Sequence, residues 1–284
     1  MANQLEPFLR VALVLFIAGS LLEVGLRVPL RDAFAALRDW RFTGATVLWG
    51  FVVCPALAIA LTWIVPLDPS HALGLVLLAM APGAPFLPAV AARAGGTPAY
   101  VAAFLVIATI GAVVYMPVAV PLLLGFAADP WAIAKPLVIF IILPLIAGAA
   151  LQAVAPRSAA QVRRLVHPVV TVVTLFVVML IAVSYWRDFL GAVGTYAIAT
   201  QCAFLTIATA AAYLLSPGFP EGQRRVLALG LSTRNVGAAA APLLASDADR
   251  RAMVMIALAV PTTIAAAALA SRWLSHRGDG RRLR

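Results

Sequence analysis

The chain has 284 residues, of which 63% are hydrophobic and 11% charged, where a soluble globular domain carries roughly 45–50% and about 25%. That excess of apolar side chain needs a bilayer to cover it, and it excludes soluble enzymes, disordered chains and disulfide scaffolds. The net charge of +10 does not point to nucleic acid, because the basic residues gather in connecting segments and the tail without interleaved aromatics, as in cytoplasmic membrane loops.

Charged residues and Pro/Gly clusters divide the chain into nine apolar segments, near 8–26, 42–65, 69–93, 98–125, 131–155, 164–186, 189–215, 221–246 and 250–274. Each is expected to be a helix, since backbone facing lipid must satisfy its own hydrogen bonds. The opening MANQLEPFLR has no basic cluster and no small-x-small site follows it. The first segment is therefore expected to be a retained helix rather than a cleaved signal. Within it Glu23 stands four residues before Arg27, the spacing of a same-face ion pair, and a buried carboxyl there is a candidate for ion or proton coupling.

The third segment reads LLAMAPGAPFLPAVAARA and puts Pro82, Gly83, Pro85 and Pro88 near its middle, where each proline removes a donor and blocks the preceding turn. Gly95, Gly96 and Pro98 are expected to form a tight turn before the fourth segment. Lys135 in the fifth is expected to snorkel to the headgroups. His71 and His167 fall near segment ends and read as interfacial. Cys54 and Cys202 sit in apolar runs and read as inert core thiols, with no metal-ligand spacing around them.

The eighth segment, LALGLSTRNVGAAAAPLL, carries Ser232, Thr233, Arg234 and Asn235 between Gly230 and Gly237. In the ninth, Thr262 and Thr263 follow Pro261, whose missing N–H frees a carbonyl that a hydroxyl can meet, and both are further candidates for ion or proton coupling. The third and eighth segments lie five apart, as equivalent members of two inverted halves would. Interrupted helices in corresponding positions of two halves are the best sequence pointer to a transporter's binding site. The chain thus reads as one integral membrane domain over 1–284, with a first repeat at about 8–125, a second at about 131–275 and a tail at 276–284.

Lysine and arginine counts set the orientation. Fifteen arginines fall in one set of alternating connections and the tail, and four, Arg10, Arg187, Arg250 and Arg251, in the other. This places the N-terminus outside and the C-terminus in the cytoplasm of a cell whose cytoplasmic (inner) membrane the chain spans. Arg234 falls inside a segment, where an ionised side chain costs about 2.5–3.5 kcal/mol by insertion scales and usually faces an internal cavity. Its forked donors suit a carboxylate, sulfonate or phosphate; bracing of unwound carbonyls is the alternative reading. Nothing in the chain resembles a nucleophilic triad, a carboxylate pair, a P-loop or a zinc motif.

Three stretches carry a resemblance: LFIAGSLLEVGLRVPLRDAFAALRDWR at 15–41, LGLVLLAMAPGAPFLPAVAARAGG at 73–96 and LALGLSTRNVGAAAAPLLASDADRRAMVMIALAVP at 227–261. Their order and separation resemble the bile acid:sodium symporter (BASS) family. The resemblance implies an all-α polytopic membrane protein of nine transmembrane helices and inverted repeats. Two broken helices would cross at mid-membrane, with a substrate cavity between a core and a panel domain. It implies import of organic anions, usually with sodium. At positions where the resemblance implies oxygen-bearing sodium ligands, this chain has Gly50, Leu87, Pro88, Val101, Leu105 and Gly230, and Arg234 stands where a glutamine is implied. A fixed positive charge some 4 Å from a sodium ion repels it by about 4 kcal/mol at an effective dielectric of about 20.

The expected function is a secondary transporter that moves an organic anion by alternating access with little dependence on sodium. Arg234, Asn235, Thr233 and Ser232 are the expected anion contacts, with Pro82, Gly83 and Pro85 opposite them. No cofactor or metal is expected, and the partners are the solute and the bilayer. A non-transporting solute sensor or assembly subunit of the same fold is the reading from a different class, and would bind solute without flux. A membrane enzyme would need acid/base or nucleophile pairs at one depth, which the segments lack.

Overall fold

A computed structural model describes the backbone of residues 2–27, 30–124, 129–244 and 250–282. In chain order the described helices are α1 (Ala2–Arg27), α2 (Leu30–Leu37), α3 (Trp40–Leu48), α4 (Cys54–Ile64), α5 (Pro69–Ala79), α6 (Leu87–Arg93) and α7 (Pro98–Leu124). They continue as α8 (Pro130–Leu137), α9 (Leu143–Val154), α10 (Pro156–Ala192), α11 (Ala197–Leu214), α12 (Glu221–Ser232), α13 (Val236–Leu244) and α14 (Arg250–Arg282). Among the described residues no strand is present, and the one β-bridge joins Pro82 to Arg234.

Among the described residues six helical stretches are long and apolar enough to cross a membrane: Trp40–Ile64, Pro98–Leu123, Pro130–Val154, Pro156–Ala192, Ala197–Leu214 and Arg251–His276. The most apolar window of α10 is only 17% buried, and Leu165, Val172 and Leu175 project from it. A water-facing helix would not carry such a face. The chain is a helical multi-pass membrane protein.

Local chemistry explains where helices begin and bend. Asp39, Asp68 and Asp129 cap α3, α5 and α8, their carboxylates accepting from the N–H groups of Phe42, Ser70 and Trp131. In α5 and α8 a proline follows the cap, where its missing N–H costs nothing. Inside two apolar stretches a π-turn replaces the α pattern, Trp49–Val53 between α3 and α4 and Val138–Ile142 between α8 and α9. Each is followed within two residues by a proline, Pro55 or Pro144, and the widened turn absorbs the ring and its missing donor.

Three departures from the sequence reading have physical reasons. Helix α2 lies where a loop is expected, because LRDAFAAL carries apolar residues at helical spacing despite its charges. Helices α10 and α14 run past the segments at 164–186 and 250–274, since charged residues end a hydrocarbon span without ending a helix. The expected tight turn does form: α6 ends at Arg93, Gly95 adopts φ +72°, and the Gly96 N–H returns to the Ala91 carbonyl at 2.8 Å.

Helix α1 lies between α9 and α10. Gly25 and Gly148 make the α1–α9 approach so close that a Cβ on either would collide with the opposite backbone, at Leu145 or Leu22. Helix α14 packs on α5, where Gly74 lies against Ala252, and α11 packs on α12. Most buried apolar residues form one core around α5, α7, α11 and α12, and a smaller cluster joins Leu9 and Ala12 to Val177, Leu180, Ile181 and Ala257.

Candidate functional site

Two helices are interrupted, and the interruptions meet. Residues 80–86 separate α5 from α6, and residues 233–235 separate α12 from α13. The unwound stretches run antiparallel: the Gly83 N–H donates to the Thr233 carbonyl at 3.0 Å and the Asn235 N–H to the Ala81 carbonyl at 2.9 Å. The Ala84 N–H donates to the Thr233 hydroxyl at 3.2 Å. Backbone groups that no helix satisfies would each cost several kcal/mol in a membrane interior; here each break satisfies the other.

Side chains finish the helix ends. Ser232 donates to the Leu229 carbonyl at 2.8 Å, and the Thr233 hydroxyl lies 3.1 Å from both the Leu229 and Gly230 carbonyls. The Asn235 amide oxygen accepts from the Ala238 N–H at 3.1 Å and starts α13. Gly83 sits at φ +79°, and a Cβ there would press on the Phe104 ring and Ala108. Only glycine meets both demands.

Arg234 is among the largest fully buried side chains, 1% exposed. Its guanidinium donates through Nη1 to the Ala79 carbonyl and through Nη2 to the Cys54 sulfur, each at 3.2 Å, and lies 4.7 Å over the Phe204 ring. Nε has no partner. Among the described residues no carboxylate lies within ion-pairing distance of it. The Ala79 carbonyl belongs to the last turn of α5, the negative end of that helix, and a cation is favoured there. Arg234 thus braces the crossing, and among the described residues no acid cancels its positive charge.

A cavity of about 240 Å³ opens beside the crossing. One wall comes from α1 and α10, including Ser20, Glu23, Arg27, His167 and Thr174; the other comes from Ala84 to Phe86, Pro88, Ala89, Arg234 to Val236, and Thr263 on α14. Most of the lining is apolar, with Leu13, Phe16, Ile17, Val177 and Val178 prominent. At one end Glu23 accepts from Arg27 and lies 2.8 Å from Nδ1 of His167.

Of the expected site residues, the fold brings Arg234, Asn235, Pro85, Glu23 and Thr263 to this cavity. Ser232, Thr233, Pro82 and Gly83 are buried at the crossing and hold it together. Thr262 lies off the cavity. The hydroxyls of Thr262 and Thr263 return to Leu258 and Ala259, not to Ala257, the carbonyl Pro261 leaves without a partner, because each reaches its own i−4 carbonyl more directly. His167, read as interfacial, lines the cavity, and His71 is buried. Cys54 is a partner of Arg234 and Cys202 is exposed, so neither is a plain core thiol.

Five of the six positions of the implied sodium ligands are filled by packing, and the sixth, Pro88, lines the cavity. Leu87, Val101, Leu105 and Gly230 are buried, and the Phe104 ring covers Gly230 so closely that a Cβ there would collide with it. Gly50 lies against the Pro82 ring. No group of three or more His, Cys, Asp or Glu side chains suited to a metal occurs among the described residues.

The family profile described as Sodium Bile acid symporter family matches residues 12–216. No curated protein matches the chain.

Proposed function

The chain belongs to the Sodium Bile acid symporter family, and from that premise we propose that it is a secondary transporter carrying an organic anion across the cytoplasmic membrane by alternating access. Nine helical units span the bilayer in this reading, six continuous stretches with α1 and the two interrupted pairs, the N-terminus outside. The helices α1, α9 and α10 act as the panel against which the crossing moves.

The observation that carries the reading is the 240 Å³ cavity seated on the bridge between the two breaks. Its apolar lining suits a hydrophobic body. The cationic groups along it, Arg27, His167 when protonated, and Arg234, outnumber the one carboxylate, Glu23. Arg234 supplies a fixed positive potential at the crossing, where low polarity keeps it effective. Asn235 and Pro85 meet the solute beside it.

Sodium has little place in this mechanism. The ligand positions implied by the family resemblance carry no side-chain oxygen, and the crossing already holds its own cation. The test is uptake by proteoliposomes. Arg234→Met, which replaces the charge with a side chain of similar volume, is expected to fold and to lose most anion uptake, and uptake at the wild-type rate by the folded variant would refute the assignment.

A further inference from the structure

The cluster at the far end of the cavity has chemistry that the crossing does not use. Glu23 is 8% exposed and its Oε1 takes both Arg27 and His167. A carboxylate only accepts, so the contact at 2.8 Å makes His167 Nδ1 the donor. The other ring nitrogen, Nε2, then carries a lone pair in the neutral imidazole and an N–H in the imidazolium. Arg27 uses one terminal nitrogen on Glu23; its other donors have no partner among the described residues. At the crossing the situation is reversed, since both terminal nitrogens of Arg234 are held by protein atoms.

Resting on the transport reading above, we propose that Arg27 and His167, oriented by Glu23, form the receptor for the solute's anionic group. The anion enters with a proton on His167 Nε2. Arg27 and Glu23 cancel, so the cluster is neutral when His167 is neutral and carries +1 when it is protonated. A monoanion is then matched in charge and met by donors from both side chains; after deprotonation it faces a lone pair instead. The cargo class is an amphipathic monoanion whose apolar body lies along Phe16, Ile17 and Val177, and the co-transported ion is a proton.

The charged groups around His167 support this assignment. Helix α1 presents Glu23 and Arg27, α9 contains no titratable residue, the lining part of α14 presents Thr263 and apolar residues, and α6 presents apolar residues to the cavity. Arg163 and Arg164 are exposed one turn away on α10 itself. Apart from Glu23, no described carboxylate lines the cavity to repel the anion.

The probe is benzenesulfonate, whose charge is constant over the range in which an imidazole titrates, with benzenesulfonamide as its uncharged counterpart. Binding to the purified full chain is read as thermal stabilisation against concentration. At about pH 5.5 benzenesulfonate is expected to bind at least about tenfold more tightly than at about pH 8, and benzenesulfonamide equally at both. His167→Gln is expected to remove the pH difference, and Glu23→Gln, which leaves the cluster at +1 even with His167 neutral, to raise binding at about pH 8 and shrink that difference. Equal benzenesulfonate binding by the wild-type chain at both pH values, or no binding at either, overturns the proposal. Neither result touches the transport reading, which stands or falls on flux.

Discussion

The guanidinium of Arg234 rests on a carbonyl, a thiol and an aromatic face rather than on a carboxylate. Arg234→Ala would leave the Ala79 carbonyl without its partner and a void beside Phe204, a loss of about 3 kcal/mol measurable by chemical unfolding in detergent. Arg234→Met fills the void but, like Arg234→Ala, leaves the Ala79 carbonyl without its donor; with no void to add, it is expected to lose less stability than Ala. Both variants remove the bracing hydrogen bonds and the charge, so both should lose uptake, and Ala should lose more stability because it alone leaves the void. A milder effect belongs to Asp68. The Ser70 N–H, with Arg251 adding to it, holds its carboxyl below its ordinary value against an upward push from burial. A depressed carboxyl stabilises the fold above its unfolded pKa and loses that contribution as pH falls through its folded one. Asp68→Ala is expected to cost about 1 kcal/mol near neutral pH and to flatten the acid limb of the stability curve, read by thermal unfolding. That Arg234 would be internal is evident from one basic residue in an apolar run. Its partners are not, because Cys54 lies 180 residues away in the chain and no local pattern encodes the meeting.

At the scale of elements, the two breaks are held by each other, so each is only as stable as the bridge. Thr233→Val keeps the shape of the side chain but removes the acceptor for the Ala84 N–H and the donor to the end of α12. A loss of about 1–3 kcal/mol is expected, with faster hydrogen exchange confined to residues 80–86 and 233–235. Thr233→Ser should restore most of it, and a Val variant as stable as wild type would show that the hydroxyl is dispensable. Both breaks are readable from proline, glycine and polar residues in apolar segments, since those residues cannot continue a helix at low cost. Their pairing is carried by backbone groups, which every residue shares, and only the family resemblance hinted at it. The two π-turns could have been anticipated from Pro55 and Pro144 within apolar runs. The approach of α1 to α9 through Gly25 and Gly148 could not, because glycine and alanine are spread throughout the chain. Either glycine changed to Ala is expected to cost about 1–3 kcal/mol by forcing the helices apart, and the Gly25→Ala, Gly148→Ala pair should cost less than the sum, because one separation relieves both.

For the molecule as a whole, composition suffices to place it in a membrane, and periodicity and charge place most of its helices but not α2. Each segment from 8–26 to 250–274 falls on a described helix or interrupted pair, but 189–215 starts in the end of α10 and crosses a turn at 193–196 before α11, and the ends of 98–125 and 221–246 lie outside the described residues. The cavity was not legible in the same way. Its walls join residues of α1, α6, α10, α13 and α14, and the contact between Glu23 and His167 spans 144 residues. The central claim is that this cavity carries organic anions past a crossing that needs no sodium. The most direct measurement is flux of labelled organic anions into proteoliposomes holding the purified chain, with sodium replaced by potassium throughout. Uptake that persists unchanged in potassium and disappears in Arg234→Met is the expected result; uptake that collapses without sodium, or no flux of any organic anion by the folded protein, would contradict the claim.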